Sequence, residues 1–242
     1  MASKLTCKNL KKFIKKKPIL NGINLQAEQG QIVALLGPNG SGKTTTFSVL
    51  CGLISADEGQ LFLDDTDIKD LPMYKRSRLG IGYLPQEPSV FRGLTVEENI
   101  YAVLEMKKLP KTKIKKTLDS LLKDLSLERV RKSPAVIVSG GERRKLEIAR
   151  ALAADPKFIL LDEPFAGIDP LAIADMKEMI SILKSKGIGV IITDHNVRDT
   201  LPIADYAYLL FEGKVLVEGT PEEIICNEKA KKLYLGKSFS EK

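Results

Sequence analysis

The sequence predicts an α/β fold with a mainly parallel core sheet and one helical insertion. Three observations carry this. Short apolar runs bounded by glycine or proline recur along the chain, as strands buried on both faces require. Segments of helical character follow several of these runs, and alternating strands and helices are the pattern of a parallel sheet covered by helices. From Thr95 to about Leu152 the strand signals thin out, and charged and apolar residues mix at helical spacing.

Each element has its own signal. Leu20 to Leu25 alternates apolar and polar residues, as a half-buried strand does. Ile32 to Leu36 is a continuous apolar run that stops at Gly37, a strand buried on both faces, and Thr44 to Leu53 suits the helix after it. Gln60 to Leu63 reads as a strand ending in an Asp-Asp turn, and Ile81 to Leu84 as another short strand. Thr95 and Glu98 have the spacing of a capping box that opens the helical stretch. Phe158 to Leu161 and Ile188 to Thr193 are further buried strands, with helical sequence at Pro170 to Lys186 between them. Tyr206 to Phe211 and Lys214 to Val217 flank Glu212-Gly213, a hairpin signal.

Bulk properties narrow the class. The 242 residues suit one domain, and 43% hydrophobic residues supply an ordinary globular core. The net charge of +7 admits an anionic partner, whether phosphate ligand, nucleic acid or acidic lipid. Cys7, Cys51 and Cys226 lie far apart, which disfavours a disulfide framework or a zinc site and fits a reducing compartment. No run approaches the roughly 18 to 20 apolar residues that span a bilayer. A soluble cytosolic chain, meeting a membrane only through partners, is the expectation. The lysine clusters at Lys11 to Lys17 and Lys107 to Lys116 read as a solvated surface before they read as a lipid or nucleic-acid site.

The sharpest chemical signal is Gly37-Pro38-Asn39-Gly40-Ser41-Gly42-Lys43-Thr44, continuing into Thr45. It matches G-x-x-x-x-G-K-[ST] between a strand and a helix, the phosphate loop of P-loop NTPases. Its glycines let backbone N–H groups close on phosphate oxygens, and the helix behind presents its positive end. Lys43 reaches the β- and γ-phosphates of a nucleoside triphosphate, and the Thr44 hydroxyl ligates Mg²⁺. A second half-site follows at Phe158 to Glu163, an apolar strand ending in two carboxylates. This strand is expected beside the one feeding the loop, with Asp162 on Mg²⁺ and Glu163 as general base toward the attacking water. His195, the only histidine, follows a third buried strand, within reach of the γ-phosphate at the ligand edge of the sheet.

Val138-Ser139-Gly140-Gly141-Glu142, running into a helix, resembles the signature L-S-G-G-Q of ABC ATPases, with Val138 for leucine and Glu142 for glutamine. Gln86 resembles that family's Q-loop residue, Gly167-Ile168-Asp169-Pro170 its D-loop, and His195 its switch histidine. The resemblance implies a single ABC ATPase domain over residues 4–236, with an N-terminal antiparallel β subdomain, a helical subdomain at about 95–152 and a tail at 237–242. It implies ATP with Mg²⁺, the metal touched by Thr44, Gln86 and Asp162. It further implies that Ser139, Gly140, Gly141 and Glu142 complete the nucleotide site of a second copy, in a head-to-tail homodimer. Phe13 or Ile14 is then the candidate to stack on adenine.

Tyr83 to Arg92, Gly140 to Arg150, Asp162 to Asp169 and Tyr234-Leu235-Gly236 with Phe239 are similar to the ATPase subunits of lipopolysaccharide exporters. That resemblance implies two inner-membrane subunits, met by Phe91 and Arg92, and a peripheral place on the cytoplasmic face of the inner membrane. Plain core packing is the competing reading of Phe91. Branched-chain amino-acid import ATPases share the Tyr-Leu-Gly style of tail and stay as the alternative. A soluble ABC ATPase of nucleic acid or ribosomes is disfavoured, because the chain has neither a second cassette nor a long coiled-coil insertion, and no direct nucleic-acid contact is expected. A non-catalytic ATP-binding regulator is disfavoured because Lys43, Asp162, Glu163 and His195 are all present.

Overall fold

The computed structural model describes residues 2–167 and 170–236, with only the backbone of residues 170 and 171. The chain opens with β1 (Lys4–Ile14), β2 (Lys17–Glu28) and β3 (Ile32–Leu36), then α1 (Lys43–Cys51). Next come β4 (Glu58–Leu63), β5 (Thr66–Asp67), α2 (Met73–Arg78) and β6 (Ile81–Leu84). Three helices follow without a strand: α3 (Val96–Met106), α4 (Lys111–Asp124) and α5 (Gly140–Ala153). The chain returns through β7 (Phe158–Asp162), α6 (Pro170–Ser185), β8 (Gly189–Thr193) and α7 (Val197–Thr200). It closes with β9 (Tyr206–Phe211), β10 (Lys214–Gly219), α8 (Pro221–Cys226) and a short helical turn to Leu235.

Two sheets result, one antiparallel in the order β2-β1-β4-β5 and one in the order β10-β9-β3-β8-β7-β6. The second is parallel from β9 to β6, with β10 antiparallel at its edge. One expectation is corrected here. The acidic strand β7 does not lie beside the loop-feeding strand β3, because β8 pairs with both and separates them. All five residues of β8 are buried, and a fully apolar strand is most stable in the centre of a sheet, covered on both faces.

Alternation along the central strands builds two cores. Ile32, Ala34 and Leu36 of β3 join Ile159 and Leu161 of β7 and the apolar faces of α3 to α6. Val33 and Leu35 point the other way, toward α1 and the antiparallel sheet, with Phe158, Leu160 and Ile191. The phosphate-loop helix is therefore clamped between two sheets. It stops at Gly52, whose φ is 81° and where a Cβ would meet Arg76 Nε at 2.8 Å. Arg76 is 1% exposed and donates to the carbonyls of Leu50 at 2.9 Å, Leu71 at 2.7 Å and Lys69 at 2.7 Å. A buried cation against the carbonyl end of α1 meets both the orphan acceptors and the helix dipole. Among the described residues no helix is long and apolar enough to cross a membrane.

Candidate nucleotide site

The loop between β3 and α1 is shaped by two glycines that no other residue replaces. Gly37 has φ 145° and Gly42 φ 105°. A Cβ at Gly37 would lie 2.3 Å from the Leu210 carbonyl oxygen, and one at Gly42 would lie 2.9 Å from Leu20 Cδ2. Pro38, Asn39 and Gly40 form the outer turn, and Ser41 and Lys43 are buried beneath it. No side chain caps the N-terminus of α1, so its first N–H groups stand free for an anion. The buried Ser41 Oγ has no hydrogen-bond partner among the described residues. Thr44 is exposed and Thr45 half-buried at the helix start.

Lys43 folds back over the loop, its Nζ donating to the Gly37 carbonyl at 2.6 Å and the Pro38 carbonyl at 3.1 Å. Burial pushes its ammonium below the ordinary lysine range, while the carboxylates of Glu163, Asp194 and Asp162 pull it back up. An ammonium held only by carbonyls is easily transferred to phosphate oxygens.

Across the sheet, Asp162 ends β7 at 9% exposure. Its Oδ1 accepts the Thr193 hydroxyl at 2.8 Å and its Oδ2 the Tyr83 hydroxyl at 3.3 Å. Burial, then the Asp162 charge, raises the Tyr83 phenol well above its usual value, so it stays a donor. Glu163 takes φ 47°, a left-handed conformation that a non-glycine residue adopts at a cost of roughly 1–3 kcal/mol. Its N–H is held by the Thr193 carbonyl at 2.8 Å, which turns the side chain toward Gln86 and His195. Gln86 Nε2 donates to Glu163 Oε2 at 3.3 Å, and His195 Nδ1 lies 3.6 Å from the same oxygen. Gln86, Glu163 and His195, each expected at the site for its own role, are thus brought together in one chain.

Asp194 belongs to this site although the sequence reading passed over it. Its carboxylate is fully buried, accepting the Phe165 N–H at 3.0 Å and the Asn196 N–H at 2.8 Å. It ties the turn after Glu163 to the turn that carries His195. A carboxylate directly after a fully buried strand was the available signal.

The signature segment is built differently. Ser139 caps α5 in a capping box with Glu142. Ser139 N–H and Oγ–H donate to Glu142 Oε2 at 2.9 and 2.8 Å, and Glu142 N–H donates back to Ser139 Oγ at 3.2 Å. Those bonds hold the Glu142 carboxyl below the ordinary glutamate range. Glu142 therefore orients Ser139. Val138 is buried, so an apolar residue of either size serves there. Gly140 and Gly141 have no atom within 4 Å of where a Cβ would stand. Nothing among the described residues requires glycine at these positions. Among the described residues no hydrogen bond joins this turn to the phosphate loop.

Phe91 is 49% exposed, which excludes the core-packing reading. Its backbone is held by the buried Asn99, with Phe91 N–H on Asn99 Oδ1 at 2.8 Å and Asn99 Nδ2 on the Phe91 carbonyl at 3.0 Å. Arg92 beside it is exposed, as are Phe13 and Ile14 at the tip of the β1–β2 hairpin. Ile168 and Asp169 of the expected D-loop, Phe239 and the tail at 237–242 lie outside the described residues.

A phosphate loop, an oriented acidic strand end and a detached glycine-rich helix cap define a P-loop ATPase of the ATP-binding cassette class. The family model "ABC transporter" matches residues 20–166, and the chain belongs to that family. It is an ATP hydrolase whose hydrolysis is coupled to transport. Over 236 residues it is 51% identical to an uncharacterized ABC transporter ATP-binding protein of Rhizobium meliloti, covering 98% of this chain and 87% of that one. Over 236 residues it is 49% identical to the lipopolysaccharide export system ATP-binding protein LptB of Haemophilus influenzae, covering 97% and 98%. Among solved structures, an ABC transporter's ATP-binding cassette in its ADP conformation superposes with TM-score 0.86 at 28% identity, covering 98% of this chain and 100% of that one. A dimeric post-hydrolysis cassette bound to ADP and Pi gives TM-score 0.76 at 25% identity, covering 90% and 98%.

Proposed function

We propose that this chain is the ATPase subunit of a lipopolysaccharide exporter. It works as a homodimer beneath two inner-membrane subunits, peripheral on the cytoplasmic face of the membrane. The near full-length identity to a lipopolysaccharide export ATP-binding protein supports the cargo. The dimeric cassette of the same fold supports the assembly. The observation that carries the composite site is the pair Gly140 and Gly141, whose small size serves no packing among the described residues. A close-approaching ligand is what such glycines admit, and a helix N-terminus capped by Ser139 suits a phosphate.

In this reading the loop from Gly37 to Thr45 wraps the β- and γ-phosphates of ATP, with Lys43 moving from its carbonyls onto them. Mg²⁺ fits the residues present. Asp162 and Thr44 offer hard oxygens, Gln86 a carbonyl, and no all-protein cage is needed because Mg²⁺ binds through one or two carboxylates and the phosphates themselves. When bound, the ion neutralises phosphate charge. Glu163 takes the proton of the attacking water, and His195 hydrogen-bonds the γ-phosphate. Ser139, Gly140 and Gly141 of the second copy, oriented by Glu142, close the site. Phe91 and Arg92 meet the membrane subunits. The single domain over residues 4–236 carries its helical part, about 95–152, as a unit against the core.

The test mixes two inactive variants. Ser139→Arg and Lys43→Ala are each expected to lose nearly all hydrolysis. Their heterodimers hold one intact site and recover part of it. Heterodimers shown to form but no more active than either parent reject the composite site. For the cargo, the chain reconstituted with its membrane partners hydrolyses ATP faster when lipopolysaccharide is in the bilayer; equal rates with and without it reject the export reading.

A further inference from the structure

Five charged side chains are buried among the described residues: Lys43, Arg76, Glu147, Asp162 and Asp194. Three belong to the nucleotide site and Arg76 closes the end of α1. Glu147, on α5 and 5% exposed, has no part in either.

Its carboxylate joins two elements far apart in sequence. Oε1 accepts the N–H of Ser89 at 2.8 Å, and Oε2 accepts Arg144 Nη1 at 2.8 Å. The same Arg144 nitrogen reaches the Pro85 carbonyl at 3.3 Å. One turn further along α5, Arg150 Nη1 donates to the Ser89 carbonyl and its guanidinium lies over the Phe91 ring, 4.5 Å from the centroid. Both backbone groups of Ser89 are therefore held by side chains of the signature helix. Gln86 sits between the two anchored residues, Pro85 and Ser89. Residues 86 to 89 are exposed, so these bonds hold the stretch from Gln86 to Ser89, and the packing of Val90 on the core and the Asn99 bonds to Phe91 take over after it.

We propose that Glu147 is a positioning residue. It pins the segment leaving Gln86 to the helix that begins at Ser139, so that nucleotide at Gln86 shifts the Phe91 surface and the signature cap as one body. The physical reason is the cost of breaking the pin. A buried carboxylate deprived of one partner is left uncompensated in a low-dielectric setting, so the joined elements move together in preference to separating. A conventional apolar contact at this place would let the segment slide; two backbone hydrogen bonds on one residue do not. The proposal rests on the reading of Gln86 as a nucleotide contact.

The test is hydrogen exchange with mass spectrometry on the full chain, with and without a non-hydrolysable ATP analogue, beside steady-state hydrolysis. In the wild type the analogue is expected to change exchange at residues 86–92 and at 139–146 together. In Glu147→Ala, exchange at 86–92 rises about tenfold and no longer follows the analogue. Analogue affinity stays within about threefold, while turnover falls about fivefold or more. Glu147→Gln keeps an acceptor for the Ser89 N–H but not the charge facing Arg144, and falls between. Three results overturn the proposal. The first is a Glu147→Ala chain whose segment still follows the analogue at wild-type turnover. The second is loosening of the whole chain in both variants, which makes Glu147 a core residue only. The third is a wild type that binds the analogue with no change at 86–92, which removes the Gln86 reading along with the coupling.

Discussion

Asp194 offers the most direct measurement of how the hydrolytic geometry is held. Its two oxygens take the Phe165 and Asn196 N–H groups at 3.0 and 2.8 Å, and His195 Nδ1 lies 3.6 Å from its Oδ1. Asp194→Asn keeps the shape and one acceptor. Its amide NH₂ then faces an N–H group that has no water to turn to, because the site is fully buried. A hydrogen bond to a charged acceptor contributes about 1.5–3 kcal/mol, and the orphaned donor adds to the loss. A net destabilisation of about 2–3 kcal/mol lowers Tm by roughly 4–12 °C in a chain of this size. The functional effect is expected to exceed the thermal one. The turn carrying Glu163 and the turn carrying His195 lose their common anchor, and a misplacement near 1 Å costs about a hundredfold in rate. Steady-state hydrolysis should show kcat down by about tenfold to a hundredfold, with KM for ATP changed far less, because the Asp194 hydrogen bonds go to Phe165 and Asn196 and not to Lys43 or its loop. Assayed well below the lowered Tm, an Asp194→Asn chain with kcat within twofold of wild type refutes the argument.

Further outcomes are checked as directly. Glu163→Gln should bind Mg-ATP normally and hydrolyse it about 10² to 10⁴-fold more slowly, since positioned proton transfer contributes that much; a closed dimer should accumulate on size exclusion, and near-normal phosphate release would reject Glu163 as the base. Phe91→Ala should weaken binding to the membrane subunits by about 2 kcal/mol, roughly thirtyfold, and leave the Tm of the isolated chain almost unmoved; unfolding of that variant would contradict the docking role. Burial pushes the Cys7 thiol up to about 12 and raises Cys51 further, first by desolvation and then by the Asp162 charge, whereas Cys226 is exposed. Only thiolates react, so the native chain at pH 8 should take one maleimide and the denatured chain three; rapid labelling of Cys51 would show that the α1 core opens.

The parallel strands were legible because burial on both faces leaves continuous apolar runs, and Ile32–Leu36, Ile81–Leu84 and Phe158–Asp162 appear where the sequence puts them. The capping box at Thr95 and Glu98 forms as its spacing predicts. The hairpin of β1 and β2 was harder to see. Its turn is Lys15-Lys16, both with positive φ, where Asn-Gly or Asp-Gly is the usual signal. The stretch from Lys8 to Lys12, polar except for Leu10, also hides the strand, since only Leu5, Cys7 and Leu10 of β1 turn to the core. The place of β7 was misjudged because strand order is a property of the sheet as a whole. Asp194 escaped notice because its role is with backbone N–H groups, and backbone partners leave no motif.

Several residues proposed to carry function share a physical trait: each is out of line with what the isolated chain needs. Glu163 accepts a left-handed backbone that a glycine would adopt without strain. Ser41 keeps a buried hydroxyl with no partner among the described residues, against the strong tendency of buried polar groups to be paired. Gly140 and Gly141 start a helix in open space, where a larger residue would fit and glycine only adds conformational entropy to the unfolded chain. Phe91 holds an aromatic ring half in water on a backbone fixed by Asn99. Folding alone selects against every one of these. The first two violations lie along the sheet edge at the phosphate loop and its acidic strand, and the other two lie on the helical insertion and its approach. In the proposed reading, a nucleotide between the loop and the second copy's signature turn engages Ser41 and the two glycines, and a docked membrane subunit covers Phe91. On that proposal the compensation for these local defects comes from outside the chain, so that the fold is complete in one copy while the active site needs a second.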